Sequence, residues 1–460
     1  MINDNDVNEI CFIGAGYIGG STAPVMALKN PSKKFYVVDI DENRINAWNS
    51  SNLPIYEPGL QEIVEEVRGK NLFFTTDVAS SIQKSDAIFI GVNTPTKTYG
   101  FGADEASNLE YWEGAARTIA KYASSSKIVI EKSTLPVRTA DAIRRLLKQQ
   151  ASQYDFTIIS NPEFLAEGSA IRDLLNPSRV LIGCLQDEHS LAKAQMIAKL
   201  YEAWVPKEKI LTIDIWSSEL AKLASNAMLA QRISSINSIA CICEETGANI
   251  VSVARAIGMD SRIGNKFLKA GPGFGGSCFK KDILSLIYIC KTLGLHEVAS
   301  YWNQVIAMNS YQQMRIVQRI LKRSFNTLSN KKVAVLGYAF KANTGDTRET
   351  PAKHIVDMLK DEHCHMISIY DPKANEAASY ESGTPSCKIA DDAYMACMAA
   401  DIIVVCTPWD EFKTLDWKRI YDSMVNQKTI VDARNCLDVN MLKHIGFDVI
   451  AVGHCYDAIA

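Results

Sequence analysis

The chain has 460 residues, of which 47% are hydrophobic and 22% are charged, and its formal net charge at pH 7 is -3. A chain of this length is too long for one core, so we expect two or three domains. The small net charge argues against a broad surface for nucleic acid or for an anionic membrane. No apolar run approaches the ~20 residues needed to span a bilayer, and the polar start MINDNDVNEI lacks the features of a secretory signal. We therefore expect a cytoplasmic protein.

The first 160 residues alternate short β-branched runs with amphipathic helical stretches. Candidate strands lie at 9–14, 34–39, 71–76, 86–91, 127–132 and 156–160, and candidate helices lie at 42–49, 109–123 and 136–150. This alternation predicts a parallel sheet with right-handed crossovers, covered by helices on both faces. Strands at 178–183 and 209–213 are expected to complete the domain.

A long helix and a second α/β unit are predicted in the rest of the chain. The segment from 215 to 246 has neither proline nor glycine, which predicts one long helix closed by Gly247. A helix of this length often joins two domains and packs against its symmetry mate. From residue 331 the alternation restarts, with candidate strands at 331–337, 366–371, 401–407 and 428–434.

The stretch CFIGAGYIGG places Gly14, Gly16 and Gly19 in G-x-G-x-x-G order directly after the first predicted strand. The glycines permit a tight turn, close approach of a pyrophosphate, and close packing of helix on strand. Asp39 ends the next predicted strand, where a carboxylate can accept hydrogen bonds from both ribose hydroxyls. The combination predicts a site for NAD rather than NADP, because Asp39 repels a 2′-phosphate. Arg44 weakens this preference slightly, and a solvated helix face is the alternative position for its side chain.

The stretch GPGFGGSCFKKD sets Cys278 among glycines and lysines. Most cysteines pack as small hydrophobic residues. If a helix starts at Ser277, however, Cys278 lies in its first turn, where the helix dipole and Lys281 favour the thiolate. Asp282 lies four residues further on the same helical face, where it can act as a base or orient water. The residues alone therefore favour a reactive cysteine.

Two other pairs of polar residues are spaced four apart. Lys222 and Asn226 share one face of the predicted long helix, although a lysine on a helix is usually a solvated charge. Glu163 and Glu167 have the same spacing, for which a charge pair at a helix start is the alternative. The HCH at 363–365 has no partner cluster with ligand spacing, so no metal site is expected.

Seven longer motifs occur in one order between residues 14 and 350. They are GAGYIGG, VNTPTKTYG, EKSTLPV, NPEFLAEGSAIRDLLNPSRVLIG, SSELAKLASNAMLAQRISSINSI, GPGFGGSCFKKD and GYAFKANTGDTRET. In these motifs the chain resembles the nucleotide-sugar dehydrogenase family, and the resemblance is weaker at 372–400. It implies an α/β fold of two Rossmann-like, doubly wound domains joined by a long central helix. It also implies NAD-binding at 1–213, a central helical domain at 214–328 and UDP-binding at 329–460.

The activity implied by the resemblance is the NAD-dependent, four-electron oxidation of UDP-glucose at C6 to UDP-glucuronate, with two NADH formed per sugar. Such chemistry needs a covalent nucleophile, because the intermediate aldehyde must be held and oxidised a second time. In the family's pattern Cys278 is that nucleophile, and Lys222 handles the alcohol proton beside Asn226. Glu163 is the acid/base candidate for thioester hydrolysis, and Thr134 holds a water or contacts the cofactor.

The resemblance also assigns binding residues. The cofactor-binding set is Gly14, Ala15, Gly16, Tyr17, Ile18, Gly19, Asp39, Arg44, Val92, Asn93, Thr94, Pro95, Thr96, Ser133, Thr134, Glu167 and Arg348. The substrate-binding set is Glu163, Phe164, Leu165, Ala166, Glu167, Lys222, Asn226, Arg262, Lys269, Phe274, Gly275, Phe340, Lys341 and Arg434. Arg262 resembles a residue that reaches into a neighbouring subunit, so a homodimer or a higher homo-oligomer, such as a hexamer, is implied.

Two alternatives stay open at this point. One is another enzyme of the family, acting on GDP-mannose or a UDP-N-acetylhexosamine, although those relatives typically lack FGGSCFKKD around the cysteine. The other is a catalytically inactive regulator that binds a dinucleotide. Such a regulator is expected to lose Cys278, Lys222 or Asp282, and all three are present.

Overall fold

The computed structural model describes residues 6–382 and 384–455. The described residues form two compact units, of which the first comprises 6–225 together with 284–293, and the second comprises 226–283, 294–382 and 384–455. The helix predicted at 215–246 begins in the first unit and ends in the second.

The first unit is built on one sheet. Its strands are β1 (Glu9–Ile13), β2 (Lys34–Val38), β3 (Leu72–Thr75), β4 (Ala87–Ile90), β5 (Lys127–Glu131), β6 (Phe156–Ser160), β7 (Val180–Cys184) and β8 (Ile210–Asp214). Its helices are α1 (Tyr17–Lys29), α2 (Glu42–Trp48), α3 (Leu60–Val67), α4 (Val78–Lys84), α5 (Glu110–Tyr122), α6 (Thr139–Gln150), α7 (Ala170–Leu175) and α8 (Glu188–Glu202), followed by a 3₁₀ turn at Lys207–Lys209.

Over the residues described, the strand order is β3-β2-β1-β4-β5-β6-β7-β8. The strands from β1 to β6 are parallel, and the order reverses at β1 and β4, as in a doubly wound dinucleotide-binding sheet. All residues of β4 to β7 are buried, since helices cover both faces. The two strands added at the edge differ from the prediction of a wholly parallel sheet. β7 pairs antiparallel with β6 through Ser160 and Gly183, and β8 then runs parallel to β7.

Four helices follow in the chain after β8 and precede the strands of the second sheet: α9 (Ile215–Thr246), α10 (Ile250–Gly258), α11 (Phe279–Thr292) and α12 (His296–Arg323). The prediction of one long helix is confirmed by α9, which has 32 residues. It stops where Gly247 takes a left-handed φ of +79°, a conformation that glycine adopts at little cost.

The second unit carries another sheet. Its strands are β9 (Lys332–Leu336), β10 (Met366–Tyr370), β11 (Cys387–Ile389), β12 (Ile402–Val405), β13 (Thr429–Asp432) and β14 (Asp448–Ala451). Its further helices are α13 (Pro351–Asp361), α14 (Asn375–Ser382), α15 (Ala393–Cys397), α16 (Asp410–Lys413), α17 (Trp417–Ser423) and α18 (Val439–Ile445). Within the described segments the order is β11-β10-β9-β12-β13-β14, with every pair parallel. It repeats the order of the first six strands, which confirms two Rossmann-like sheets.

Candidate active site

The glycine loop follows β1 and opens α1. Gly14 has a φ of +103°, and a Cβ at Gly19 would lie 2.1 Å from the Gly14 carbonyl oxygen, so both positions require glycine for internal reasons. Gly16 differs, because a Cβ there would meet no protein atom within 4 Å. The space beside Gly16 therefore lies open at the start of a helix, which is where a pyrophosphate binds.

Asp39 follows β2 and turns towards this loop. Its Oδ2 accepts a hydrogen bond from the backbone N–H of Ala15 (2.9 Å), and its Oδ1 accepts one from Asp41 N (3.1 Å). Arg44 Nη1 lies 3.0 Å from Asp39 Oδ2. The carboxylate is thus fixed beside the loop, and the open space at Gly16 and the acid at Asp39 fit NAD.

Two predicted cofactor segments lie side by side after β4 and β5. The hydroxyl of Thr94 donates to the carbonyl oxygen of Thr134 (3.1 Å), and the hydroxyl of Ser133 donates to the carbonyl oxygen of Val92 (2.6 Å). Since both segments leave the carboxyl ends of neighbouring parallel strands, they lie at the edge where such sheets bind ligands.

Lys222 and Glu163 form a buried ion pair. Lys222 Nζ lies 3.3 Å from Glu163 Oε1, and their side chains are 3% and 8% exposed. The Lys222 ammonium also lies 5.2 Å from the ring centroid of Phe164. Lys222 is therefore not a solvated helix charge. Residues 163–168 are not helical, so the spacing of Glu163 and Glu167 does not form a helical pair.

Lys132, which sequence reasoning missed, lies in the same buried environment. Its Nζ donates to Asn161 Oδ1 (3.1 Å) and to the hydroxyl of Tyr201 (3.2 Å). Burial lowers the pKa of Lys132 to about 8, an effect that the Glu163 carboxylate opposes and the Lys222 ammonium reinforces. The available sequence signal was the lysine directly after the buried strand in IEKST.

A second missed residue, Glu57, connects the glycine loop with the segment that contains Glu167. Its Oε1 accepts from the Tyr17 hydroxyl (2.6 Å) and from Gly168 N (2.6 Å), and its Oε2 accepts from Ala170 N (3.1 Å). Tyr17 belongs to the predicted cofactor set. Glu57 thereby fixes the position of one predicted site segment relative to another.

In the second unit, Cys278 immediately precedes a helix. α11 begins at Phe279, two residues after the start assumed at Ser277, so Cys278 precedes the first turn and does not lie in it. Its carbonyl oxygen accepts from Asp282 N (2.9 Å), and its half-buried Sγ lies 3.4 Å from the Ser277 hydroxyl oxygen. The thiol still lies at a helix N-terminus, where the dipole favours a thiolate.

Asp282 is buried one turn further along α11. Its Oδ2 accepts a hydrogen bond of 2.6 Å from Asn226 Nδ2. Lys281 Nζ lies 3.0 Å from Oδ1, an ion-pair distance without hydrogen-bond geometry. Asn226 on α9 thus orients the acid that follows the cysteine.

The glycines before Cys278 have a packing role. A Cβ at Gly275 would lie 2.5 Å from the Glu349 carbonyl oxygen, and one at Gly276 would lie 2.9 Å from the Phe340 ring. Gly276 N also donates to the Arg348 carbonyl oxygen (2.8 Å). The loop therefore packs tightly against the segment after β9.

The predicted cations of the second unit are in different environments. Arg434 is half-buried and donates to the carbonyl oxygens of Cys406 (2.7 Å) and Phe340 (2.9 Å). Lys341 Nζ lies 5.3 Å from the ring centroid of Phe340, which places Lys341 near Arg434. Lys269 is exposed. The two remaining arginines, Arg262 and Arg348, are exposed and pair with Asp260 and Asp346 respectively, each at 2.6 Å.

Comparison with known proteins identifies the family. Sequence models of the UDP-glucose/GDP-mannose dehydrogenase family match three stretches: the NAD binding domain at 8–205, the central domain at 216–311 and the UDP binding domain at 334–439. The chain belongs to this family. It is therefore an NAD-dependent dehydrogenase, and NAD is its cofactor.

Relatives with high identity cover nearly the whole chain. UDP-glucose 6-dehydrogenase 4 of Arabidopsis thaliana is 51% identical over 469 residues, covering 98% of each chain. UDP-glucose 6-dehydrogenase of Pongo abelii is 52% identical over 462 residues, covering 97% of this chain and 93% of that protein. Among solved structures, a UDP-glucose dehydrogenase from the archaeon Pyrobaculum islandicum superposes with a TM-score of 0.85 at 29% identity, covering 99% of both chains. A UDP-D-ManNAc dehydrogenase from Pyrococcus horikoshii gives 0.80 at 27% identity, covering 97% and 99%.

The described residues contain neither a candidate membrane span nor a candidate metal cluster. No helix among them is both long and apolar enough to cross a membrane. No group of three or more His, Cys, Asp or Glu side chains in residues 6–382 and 384–455 is arranged to hold a metal ion.

Proposed function

We propose that the protein oxidises UDP-glucose at C6 to UDP-glucuronate, with two NAD⁺ reduced per sugar. The observation that carries the proposal is the identity of about one half, over nearly the full length, to proteins named UDP-glucose 6-dehydrogenase. The chain is 27% identical to the UDP-D-ManNAc dehydrogenase of Pyrococcus horikoshii. An archaeal UDP-glucose dehydrogenase is itself only 29% identical, so it is the relatives of about one-half identity that favour glucose over the 2-acetamido sugars as the substrate.

In the proposed chemistry, the hydride of each of the two oxidation steps is transferred to NAD⁺. Lys222 passes one proton to the Glu163 carboxylate and takes up the proton of the C6 hydroxyl in its place, so the ammonium keeps its charge and stabilises the oxyanion that develops. Cys278 Sγ then forms a bond to the aldehyde carbon, which gives a hemithioacetal and, after the second oxidation, a thioester. Water adds to the thioester carbon and the C–S bond breaks, which releases the carboxylate and the thiolate. Asp282, held by Asn226, orients that water, with Glu163 as the acid/base candidate.

The proposal extends to binding. The NAD-binding role of residues 1–213 is supported by the glycine loop and Asp39, and the UDP-binding role of 329–460 by Arg434 and Lys341 beside Phe340. The central part at 214–328 supplies Cys278. The remaining predicted contacts, among them Arg262 and Lys269, stay predictions, as does the cytoplasmic location.

The first experiment is a substrate comparison. Purified protein is mixed with NAD⁺ and, separately, with UDP-glucose, GDP-mannose and UDP-N-acetylglucosamine, and NADH absorbance is followed. We expect turnover with UDP-glucose and two NADH per UDP-glucuronate counted by mass spectrometry. Faster turnover of another sugar would contradict the substrate, and a ratio near one would contradict the thioester route.

The second experiment is the substitution Cys278→Ser. Serine keeps the shape but has a hydroxyl of much higher pKa than a thiol, so the covalent route is lost. We expect normal folding, retained binding of NAD⁺ and UDP-glucose by calorimetry, and loss of steady-state UDP-glucuronate by orders of magnitude. The matched control is Cys290→Ser, which changes a buried cysteine outside the proposed chemistry, on the helix α11 that follows Cys278. Native turnover in Cys278→Ser would refute the assignment.

A further inference from the structure

A buried carboxyl group at the end of β5 lacks a hydrogen-bond donor. The residue is Glu131, which is 2% exposed. With its carboxyl group ionised, neither oxygen accepts a hydrogen bond from any group in the described parts of the chain. An ionised carboxylate buried in this way is strongly unfavourable, so the geometry requires a proton on Glu131.

Glu219 on α9 is the partner for that proton. Its carboxyl group is buried and lies within hydrogen-bonding reach of Glu131. Two carboxyl groups form a hydrogen bond only when one of them carries a proton. Glu219 Oε2 already accepts from Arg138 N (2.7 Å), and Oε1 from Ala140 N (3.0 Å). Glu219 is therefore the ionised acceptor, and Glu131 is the protonated donor.

The charges that face the pair agree with this arrangement. Burial and the Glu219 charge raise the pKa of Glu131 well above its ordinary value, and burial is also the main cause of the raised pKa of Glu219. Asp141 on α6 adds a further negative charge near Glu219. The side chains of Arg138 and Arg144 are paired with Asp141, at 3.2 and 2.9 Å.

The pair encloses a short segment that carries predicted site residues. Residues 132–138 leave β5 directly after Glu131 and end where Arg138 and Ala140 donate to Glu219. Thr134 lies within this segment. Glu219 thus fixes both ends of the segment, one through the shared proton and the other through the two backbone N–H groups.

We propose that Glu131 and Glu219 are positioning residues that share one proton. This proton holds residues 132–138, with Thr134, in the position that the segment has beside Glu219 of α9. As the pH rises, the proton is lost, two buried carboxylates repel each other, and the segment is released. The kinetic consequence rests on the proposed function, whereas the shared proton itself does not.

The shared proton is tested by infrared spectroscopy of the full-length protein at pH 8. Glu131→Gln removes the carboxylic acid but keeps an N–H donor for Glu219. The native-minus-variant difference spectrum should contain the carbonyl stretching band of a protonated carboxyl group. Glu113→Gln, on the exposed face of α5, should give no such band. A native-minus-Glu131→Gln spectrum without the band would overturn the proposal, whether or not the protein oxidises UDP-glucose.

The positioning role is tested by the pH dependence of turnover and stability. In the native protein, kcat and Tm should both fall at alkaline pH as the shared proton is lost. The amide of Glu131→Gln donates at every pH, so this variant should not show that fall, and its kcat near neutrality should stay within about twofold of the native value. Glu131→Leu offers no donor and should lower kcat by roughly 10- to 100-fold, with a smaller change in KM, because the segment is misplaced. Parallel pH profiles for native protein and Glu131→Gln would contradict the role, even if Glu131→Leu does not fold.

Discussion

Among single residues, Asp39 is the one that we expect to determine which dinucleotide binds. Its carboxylate is fixed by Ala15 N and by Arg44. We expect the Asp39 carboxylate to repel a 2′-phosphate and, by pairing with Arg44, to engage a cation that could otherwise bind that phosphate. We therefore predict that discrimination against NADP⁺ depends on this pair of side chains.

The substitution Asp39→Ala should lower the NAD⁺ over NADP⁺ preference in kcat/KM by at least about tenfold, since a like-charge repulsion of several kcal/mol is removed. Arg44 then becomes available to a 2′-phosphate. In the matched double variant Asp39→Ala with Arg44→Ala, part of the gained NADP⁺ activity should disappear. Equal kcat/KM for both cofactors in the native enzyme would refute the role of Asp39.

At the scale of elements, the C-terminal half of α9 is fixed by one acid. Glu244 is buried and forms ion pairs with Arg315 and Arg319 on α12, and it accepts from Gly453 N (2.7 Å) after β14. Arg319 also donates to the carbonyl oxygens of Ala451 and His454. One carboxylate therefore connects two helices with the chain that follows the last strand.

Glu244→Ala should destabilise the second unit by about 3 kcal/mol, because removing one partner of a buried ion pair leaves charge without compensation. The neighbouring Glu245 is an internal control. Its side chain is 77% exposed and lies 3.6 Å from Arg315, so Glu245→Ala should cost less than about 1 kcal/mol. Urea denaturation followed by circular dichroism compares the two variants. Equal midpoints would show that the buried network contributes little.

For the whole molecule, the exposed apolar side chains of α9 indicate a surface for self-association. Met228 and Ile242 are 53% and 56% exposed in the single chain. Apolar side chains in this number on one helix are typical of a homo-oligomer interface. The homodimer or higher homo-oligomer stays a prediction, for which these side chains are supporting evidence.

The expected result is a dimer or larger assembly by light scattering at micromolar concentration, weakened by Ile242→Glu, because the substitution places a charge in an apolar interface. Phe325→Glu is the control, since Phe325 is exposed outside α9. A fully active monomer would rule out the interface and with it the role proposed for Arg262 in a neighbouring subunit.

Much of the fold follows from the sequence because its determinants are local. The alternation of apolar strands with helices predicts two doubly wound sheets, and Gly247 marks the end of α9. The glycine loop and Asp39 predict the cofactor site, since a tight turn and a strand-end acid need only neighbouring residues. Local pattern does not fix strand direction, however. The antiparallel pairing of β7 with β6 depends on one distant residue pair, Ser160 and Gly183.

The tertiary structure alone decided which polar groups are buried together. Lys132 meets Asn161 and Tyr201 from three separate elements, and Glu131 meets Glu219 across 88 positions of sequence. In the sequence each is an ordinary charged residue, with surface exposure as the default expectation. Burial changes their protonation, because desolvation acts on a group only once the chain has packed around it. The family and its cofactor were therefore predictable from motifs, whereas the proton-sharing pair required the packed structure.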